Sequence, residues 1–454
     1  MTPQAATRHE TITDMRRGAC PTLGQPMPTG DGLLARLRPL DCVITTAELR
    51  AIAEAAAAFG NGILEVTARG SLQIRGLKPE TVKPFERAVL AAGIVPASGV
   101  MVEVPPLTGI DPGELIDPRP LATELRQAIE RHIPPLVMAP KLAVTVDGGG
   151  RFHLGDVTAD VRLTAIEGGG FFLAVGGTNR TARPVAVVDE DQAVLAVMRV
   201  LEAIAALGPA ARGRDVDLVG LGDLCESAAG KVSVHRDAGP FLGIHDLEPD
   251  TDDDKSRILG VAFPYRQATA VDLTAFIDDL ETIGISEIRL SPNHGFFITC
   301  LSRDSASQAE NSARRHGFWT SSDEPRANIA LCSGIAGCGS AFYDTGAAAE
   351  TLLEHAPDLL DGSLAIHLSG CAKGCAHASI APLTLVGAPS GYGLVVNGTA
   401  SSGPAHYIAA KDLGIALERL ASRVAGAKET GETARDCLAR LGADRISAAL
   451  TLDE

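Results

Sequence analysis

An internal repeat constrains this chain more than any other feature. Thr45 to Leu77 aligns with Thr269 to Leu301 without a gap, at a constant offset of 224 residues. Thr45 with Glu48, and Thr269 with Asp272, both read as capping-box helix starts, Glu in the first and the related Asp in the second. Leu49, Ile52 and Ala56 fall on Leu273, Phe276 and Leu280, one apolar helical face in each copy. Gly60 and Gly284 end the two helices. Each helix leads into two short strands joined by a turn: ILEVT, ARGS and LQIRGL in the first copy, EIRLS, PNHG and FFITCL in the second. Upstream, Leu33 to Leu37 and Ile258 to Phe263 each read as a strand. The repeated unit is strand, helix, hairpin, about half of a ferredoxin-like α+β domain.

Each half-unit is followed by a longer segment with a weaker echo. KLAVTVDGGG (Lys141 to Gly150) parallels SLAIHLSGC (Ser363 to Cys371), each an apolar strand running into a glycine turn, and amphipathic helices follow near Ala193 to Leu207 and Ala409 to Ala425. The expected organisation is an internally duplicated α+β fold. It has an arm over residues 1–30, a first half-unit over 31–100, a large α/β domain over 101–247, a linker over 248–255, a second half-unit over 256–318 and a second large α/β domain over 319–454. The linker is acidic and lacks apolar periodicity. The Gly- and Pro-rich segment from Arg16 to Asp31 reads equally as a loop over a pocket or as a plain N-terminal arm.

A formal charge of −16 over 454 residues excludes a protein that coats nucleic acid or anionic lipid, since either needs a net basic face. An anionic ligand would need a local basic pocket. Met1 to Met15 is polar, unlike a signal peptide, and no stretch reaches the roughly 18 apolar residues of a membrane span, so a cytoplasmic location is expected. In a reducing cytosol the nine cysteines should be thiols or metal ligands. Cys20, Cys42, Cys225, Cys300 and Cys437 are isolated and read as buried small hydrophobes.

The other four are grouped. Cys332 and Cys338 are separated by SGIAG, and Cys371 and Cys375 by AKG. Glycines at 334, 337, 339, 370 and 374 let backbone approach sulfur and leave amide donors free to point at it. An iron-sulfur cluster needs four thiolates converging on one small cage, and two tight pairs on two loops supply them. Zinc is the main rival, although structural zinc usually takes pairs separated by two to four residues, often with histidine. Inert buried thiols are the other alternative.

The C-x5-C and C-x3-C pairs, the duplicated half-units and the paired large domains together resemble the sulfite and nitrite reductase family. In that family sirohaem sits against a 4Fe-4S cluster at the interface of two halves. The resemblance covers nearly the whole chain and implies that Cys332, Cys338, Cys371 and Cys375 hold a 4Fe-4S cluster. Family members hold the anion and the tetrapyrrole carboxylates with arginines and lysines at set places. A Thr-x-Arg in the first hairpin is matched by Thr67, Ala68 and Arg69, followed by Gln73, with Arg75 beyond. Positions Asn293 and Thr299 replace these two arginines in the second copy. Of a Lys-x-Lys strand only Lys141 remains, the second lysine being Ala143, and a third arginine is absent from Ser98 to Pro112.

Six-electron reduction of sulfite or nitrite needs cations to stabilise a charged ligand and deliver protons, and about half of that set is missing. Arg69, Arg75 and Lys141 suffice for charge-assisted bonds to tetrapyrrole carboxylates. Arg16 to Pro39, Lys141 to Leu163 and Ile366 to Gly387 resemble the precorrin-3B synthase branch of the family. That resemblance implies a monooxygenase acting on precorrin-3A with dioxygen and an electron donor, hydroxylating C20 while the ring A acetate closes a γ-lactone. It further implies a mononuclear non-haem iron in place of sirohaem iron. His153 with Asp156, His294, His367 and His377 are available to such an iron, but each alone is more often structural, and the sequence selects no ligand set. A sirohaem-dependent reductase and a non-catalytic iron-sulfur protein are the alternatives.

Overall fold

The computed structural model describes residues 21–97, 99–225, 238–247, 257–322, 324–377 and 379–450. Cys20, Ser98 and the expected linker lie outside them, as does the Cys225 side chain. In chain order the first copy of the repeat contributes β1 (Met27–Thr29), β2 (Gly32–Leu37), β3 (Val43–Thr45), α1 (Thr46–Phe59), β4 (Ile63–Val66), β5 (Leu72–Leu77) and α2 (Val82–Ala91). The next segment contributes β6 (Met101–Glu103), α3 (Arg119–Arg131), β7 (Ala143–Asp147), β8 (Ala159–Ala165), β9 (Phe171–Gly177), β10 (Arg183–Val188) and α4 (Glu190–Ala206). The second copy follows with β11 (Gly243–Asp246), β12 (Arg257–Ala262), β13 (Gln267–Thr269), α5 (Ala270–Thr282), β14 (Glu287–Ser291), β15 (Gly295–Leu301) and α6 (Arg303–Arg315). The last segment holds β16 (Ile329–Leu331), α7 (Thr345–His355), β17 (Ile366–Ser369), β18 (Ala381–Ala388), β19 (Gly391–Gly398), β20 (His406–Ala409), α8 (Leu413–Ala427) and α9 (Ala434–Leu450). Among the described residues no helix is long and apolar enough to cross a membrane.

Two compact units result. One is built mainly of Ala35–Val43 and Val95–Gly239, the other of Pro28–Leu34, Ile44–Ile94 and the described residues from Pro240 onward. The second unit therefore contains both copies of the repeat.

The offset of 224 holds down to single backbone conformations. Asp41 and Cys42 have left-handed φ values, as do Tyr265 and Arg266, and Gly70 matches His294 while Gly76 matches Cys300. Both helices start on a threonine that accepts from the third amide, Thr45 from Glu48 and Thr269 from Asp272, each at 3.1 Å. Only Glu48 reaches back to its cap amide, at 2.8 Å. Asp272, one methylene shorter, bonds the Thr269 hydroxyl instead. The copies then exchange strands. One sheet runs β1-β2-β5-β4-β13 and the other β11-β12-β15-β14-β3, so each is completed by the other copy. The exchange is reciprocal to the residue: Thr46 donates to Ser286 O and Ala270 donates to Gly62 O.

Cys300 departs from expectation. Cys42 and Cys437 are buried as predicted, but Cys300 is exposed. Between the β12–β15 pairs Arg257 with Leu301 and Leu259 with Ile298, one residue on β12 opposes two on β15. Cys300 takes the left-handed bulge position, φ 59°, which turns its thiol out of the sheet.

The two large domains share one sheet plan. In β6 to β10, and again in β16 to β20, the strands lie in sequence order, the first two pairings parallel and the last two antiparallel. Val144, Val161, Leu163 and Leu173 with Val197 and Leu201 form the core of the first. Ile366, Leu368, Leu383 and Leu385 with Leu417 and Leu438 form that of the second.

Candidate functional site

Parallel pairing of β16 and β17, with Leu331 opposite Leu368, brings Cys332 and Cys371 off neighbouring strand ends. The Cys332 amide still donates to Leu368 O at 3.3 Å, and its carbonyl accepts from the Thr345 hydroxyl at 2.6 Å. The Gly370 amide points at Cys332 Sγ, 3.2 Å away, the donor arrangement expected of these glycines. A side chain at Gly370 would strike Ala341, its Cβ lying 2.6 Å from that of Ala341. Cys332, Cys338 and Cys371 are half-buried and Cys375 is exposed. Burial pushes the Cys371 thiol up, and the nearby Cys375 and Cys338 sulfurs push it further. A bound cation would relieve that resistance to ionisation at Cys371. Among the described residues, however, no group of three or more His, Cys, Asp or Glu side chains is gathered to hold a metal ion. The four thiols fit a cluster by donor set and loop placement, with their side chains not converged.

The first hairpin is folded by Thr67. Its hydroxyl accepts from the amides of Arg69 at 3.2 Å and Ser71 at 3.1 Å, placing half-buried Arg69 in the turn between β4 and β5. The turn rests on the second copy: a Cβ at Gly70 would lie 3.4 Å from Leu290 O, and His294 Nδ1 is 2.7 Å from Val66 O. Arg75 is engaged by two carboxylates. Its Nε and Nη2 reach Asp31 at 2.9 and 3.0 Å, and Nη1 reaches Glu65 at 3.2 Å. Burial works against its charge, but Glu65 and Asp31 outweigh this and raise its pKa. Lys141 belongs to the other unit, half-buried just before β7. Ala143 beyond it is fully buried, its amide donating to Asp160 at 3.0 Å.

Of the histidines, His153 accepts from the Gly155 amide and Asp156 is exposed, both in the first unit. His294 is held neutral, its pKa lowered to about 4 by burial and by Arg266. His367 is fully buried with neither ring nitrogen partnered, and its ring centroid lies 5.7 Å from that of His377. Burial, His377 and Arg266 lower its pKa to about 4. Arg266 itself donates to Ala376 O at 2.6 Å. Two histidines beside a guanidinium, with no carboxylate completing the set among the described residues, do not fit a three-ligand iron site.

Several residues of this region carried no sequence signal strong enough to single out. Glu65 accepts from Gln73, Arg75 and Gln267, and Gln267 lies 3.3 Å from Ser333 in the first cysteine loop. An acid inside the apolar run ILEV was the available hint. Asp31 and Gly30 lie in the N-terminal TGDG, a stretch that composition alone marks only as a turn.

Comparison with known proteins agrees with this architecture. Residues 25–92 match the nitrite/sulfite reductase ferredoxin-like half domain. The structure of the Mycobacterium tuberculosis NirA protein superposes with a TM-score of 0.65 and 19% identity, covering 91% of this chain and 84% of that one. A chloroplastic ferredoxin–nitrite reductase from Oryza sativa subsp. japonica is 24% identical over 78% of this chain and 66% of its own length. A precorrin-3B synthase from Sinorhizobium sp is 47% identical over 97% of this chain and 95% of its own length. With two strand-exchanged half-units, two matching large domains and that near full-length identity, the chain belongs to the precorrin-3B synthase family, within the wider nitrite and sulfite reductase fold.

Proposed function

We propose that this enzyme converts precorrin-3A to precorrin-3B by a dioxygen-dependent hydroxylation at C20, with the ring A acetate closing a γ-lactone. The observation that carries this reading is the 47% identity to a precorrin-3B synthase across almost the full length of both chains. One oxygen atom of dioxygen enters the product and the other leaves as water, so two electrons and two protons are required from a donor. A 4Fe-4S cluster on Cys332, Cys338, Cys371 and Cys375 would pass those electrons singly; the adjacent strand ends that carry the thiols support it. The mononuclear iron that the resemblance implies has no three-residue ligand set among the described residues, and none is assigned.

The chain's own work is to hold an anionic macrocycle. Arg69, fixed in its turn by Thr67, is the proposed carboxylate contact. Arg75 already answers Asp31 and Glu65, so its charge serves the scaffold. Fully buried Ala143 in place of a lysine removes a cation that sulfite or nitrite reduction would use.

The test is incubation of the purified protein with precorrin-3A, dioxygen and a reductant, followed by mass spectrometry and a visible spectrum. Precorrin-3B formation by protein without sirohaem absorption is the expected result. Sulfite or nitrite reduction by a sirohaem-loaded preparation would place the chain with the reductases instead.

A further inference from the structure

The segment between β1 and β2 is two residues long, Gly30 and Asp31, and it lies against a cysteine loop. An ideal Cβ built on Gly30 would stand 1.8 Å from Gly339 N and 2.4 Å from Cys338 Cα. Those are backbone atoms, which cannot step aside, so the Gly30 backbone is seated directly on Cys338 and Gly339. Gly30 is otherwise exposed, which makes it an outer wall at this corner. Asp31, with its side chain only 5% exposed, ties the turn down. Its carboxylate takes Arg75 Nε and Nη2 in a fork, and also accepts from Thr29 at 2.8 Å and Asn61 at 3.0 Å. The same Arg75 bonds Glu65, which accepts from Gln267, whose amide also reaches Ser333 between Cys332 and Cys338. Turn and cysteine loop thus hang from one polar network.

We propose that the Gly30–Asp31 turn is a fixed cover over the Cys338 corner of the cluster, and that the Asp31–Arg75 ion pair is the positioning device that keeps it shut. The inference rests on the cluster reading given above. An enzyme that admits dioxygen exposes its own cluster to attack. Dioxygen takes one electron from an oxidised 4Fe-4S cluster to give superoxide, and the over-oxidised cage sheds one ferrous ion to leave a 3Fe-4S cluster. Each corner screened by packed backbone slows both the approach of oxidant and the escape of iron. Local opening of such a cover is governed by the contacts that hold it. A partly buried bidentate pair is worth enough that its loss should raise the open fraction about ten- to hundredfold.

The test uses full-length protein reconstituted anaerobically with iron and sulfide, comparing wild type with Asp31→Asn, Arg75→Gln, Arg75→Lys and Gly30→Ala. Two rates are read per loaded cluster: bleaching in air, followed with the electron paramagnetic resonance signal of the 3Fe-4S product, and anaerobic removal of iron by bathophenanthroline disulfonate. Asp31→Asn adds no bulk, so it separates release of the latch from a steric clash. The expected result is both rates raised about tenfold or more in Asp31→Asn and Arg75→Gln, with Arg75→Lys intermediate because it keeps charge but loses the fork. Unchanged rates in loaded Asp31→Asn would overturn the cover. Wild-type protein that takes up no iron and sulfide would instead refute the cluster on which it rests.

Discussion

The sheets β6–β10 and β16–β20 share strand order and pairing, yet the loops leaving their first two strands carry different residues. In the first domain buried carboxylates pin them. Asp147, fully buried at the end of β7, accepts from the amides of Gly149 at 2.9 Å and Leu154 at 2.7 Å. Asp111, on the loop after β6, accepts from Gly113, Arg151 and Phe152. Buried Arg162 then ties down the carbonyls of Leu154 and Val157. In the second domain the loop after β16 carries Cys332 and Cys338, and the loop after β17 carries Cys371 and Cys375. The same frame thus carries loops pinned by buried acids in one domain and loops bearing four thiols in the other. The difference teaches that the sheet supplies position and the loop residues decide what is held.

Removing a thiol should break the comparison most severely. Cys371→Ser should lose nearly all cluster iron and acid-labile sulfide. Hydrogen exchange should then rise in residues 332–343 and 370–377 but not in 148–157. A variant that keeps a full cluster would show that the second pair of loops is not held by metal.

Asp147→Ala is the matching cut in the first domain. It removes the acceptor of two buried amides, each loss costing about 1 to 3 kcal/mol, so urea unfolding should report a loss of about 2 to 6 kcal/mol. Iron and sulfide content should stay at the wild-type level. Next in size, Arg69→Ala should weaken precorrin-3A binding about ten- to hundredfold, the worth of one charge-assisted bond of about 1.5 to 3 kcal/mol. Equal affinity would remove Arg69 from the substrate site.

The smallest effect compares the two hairpins. Position 70 is glycine in the first and position 294 is histidine in the second. His294 is lowered to about 4 in the fold, by burial and by Arg266, from an unfolded value of about 6.5. Between those pH values the unfolded chain binds the extra proton, so stability is unaffected above about 6.5 and falls as pH drops toward 4, by at most about 1.4 kcal/mol per pH unit. His294→Gly, which copies the first hairpin, should flatten that slope in urea titrations across this range.

What the sequence made legible follows the range over which its signals act. Caps, apolar faces and hairpins of the repeat were readable because Thr45 with Glu48, or Leu49 with Ile52, interact within one or two helical turns. The grouped cysteines were readable for the same reason. Strand exchange was not, because β4 carries no mark that its neighbour will be β13 rather than another strand of its own copy. Cys300 was misread because an apolar alternation does not announce a bulge; only its match to Gly76 at the constant offset could have done so. The ion pair of Arg75 with Asp31 was not legible either, because the two lie 44 residues apart in sequence.

The central claim is that this duplicated frame serves oxygen insertion into a tetrapyrrole, and labelled dioxygen tests it most directly. Protein supplied with precorrin-3A, a reductant and oxygen-18 gas should yield precorrin-3B carrying a single labelled oxygen, at C20, with the lactone ring oxygen unlabelled because it comes from the substrate's own acetate. A product without label at C20 would contradict the account.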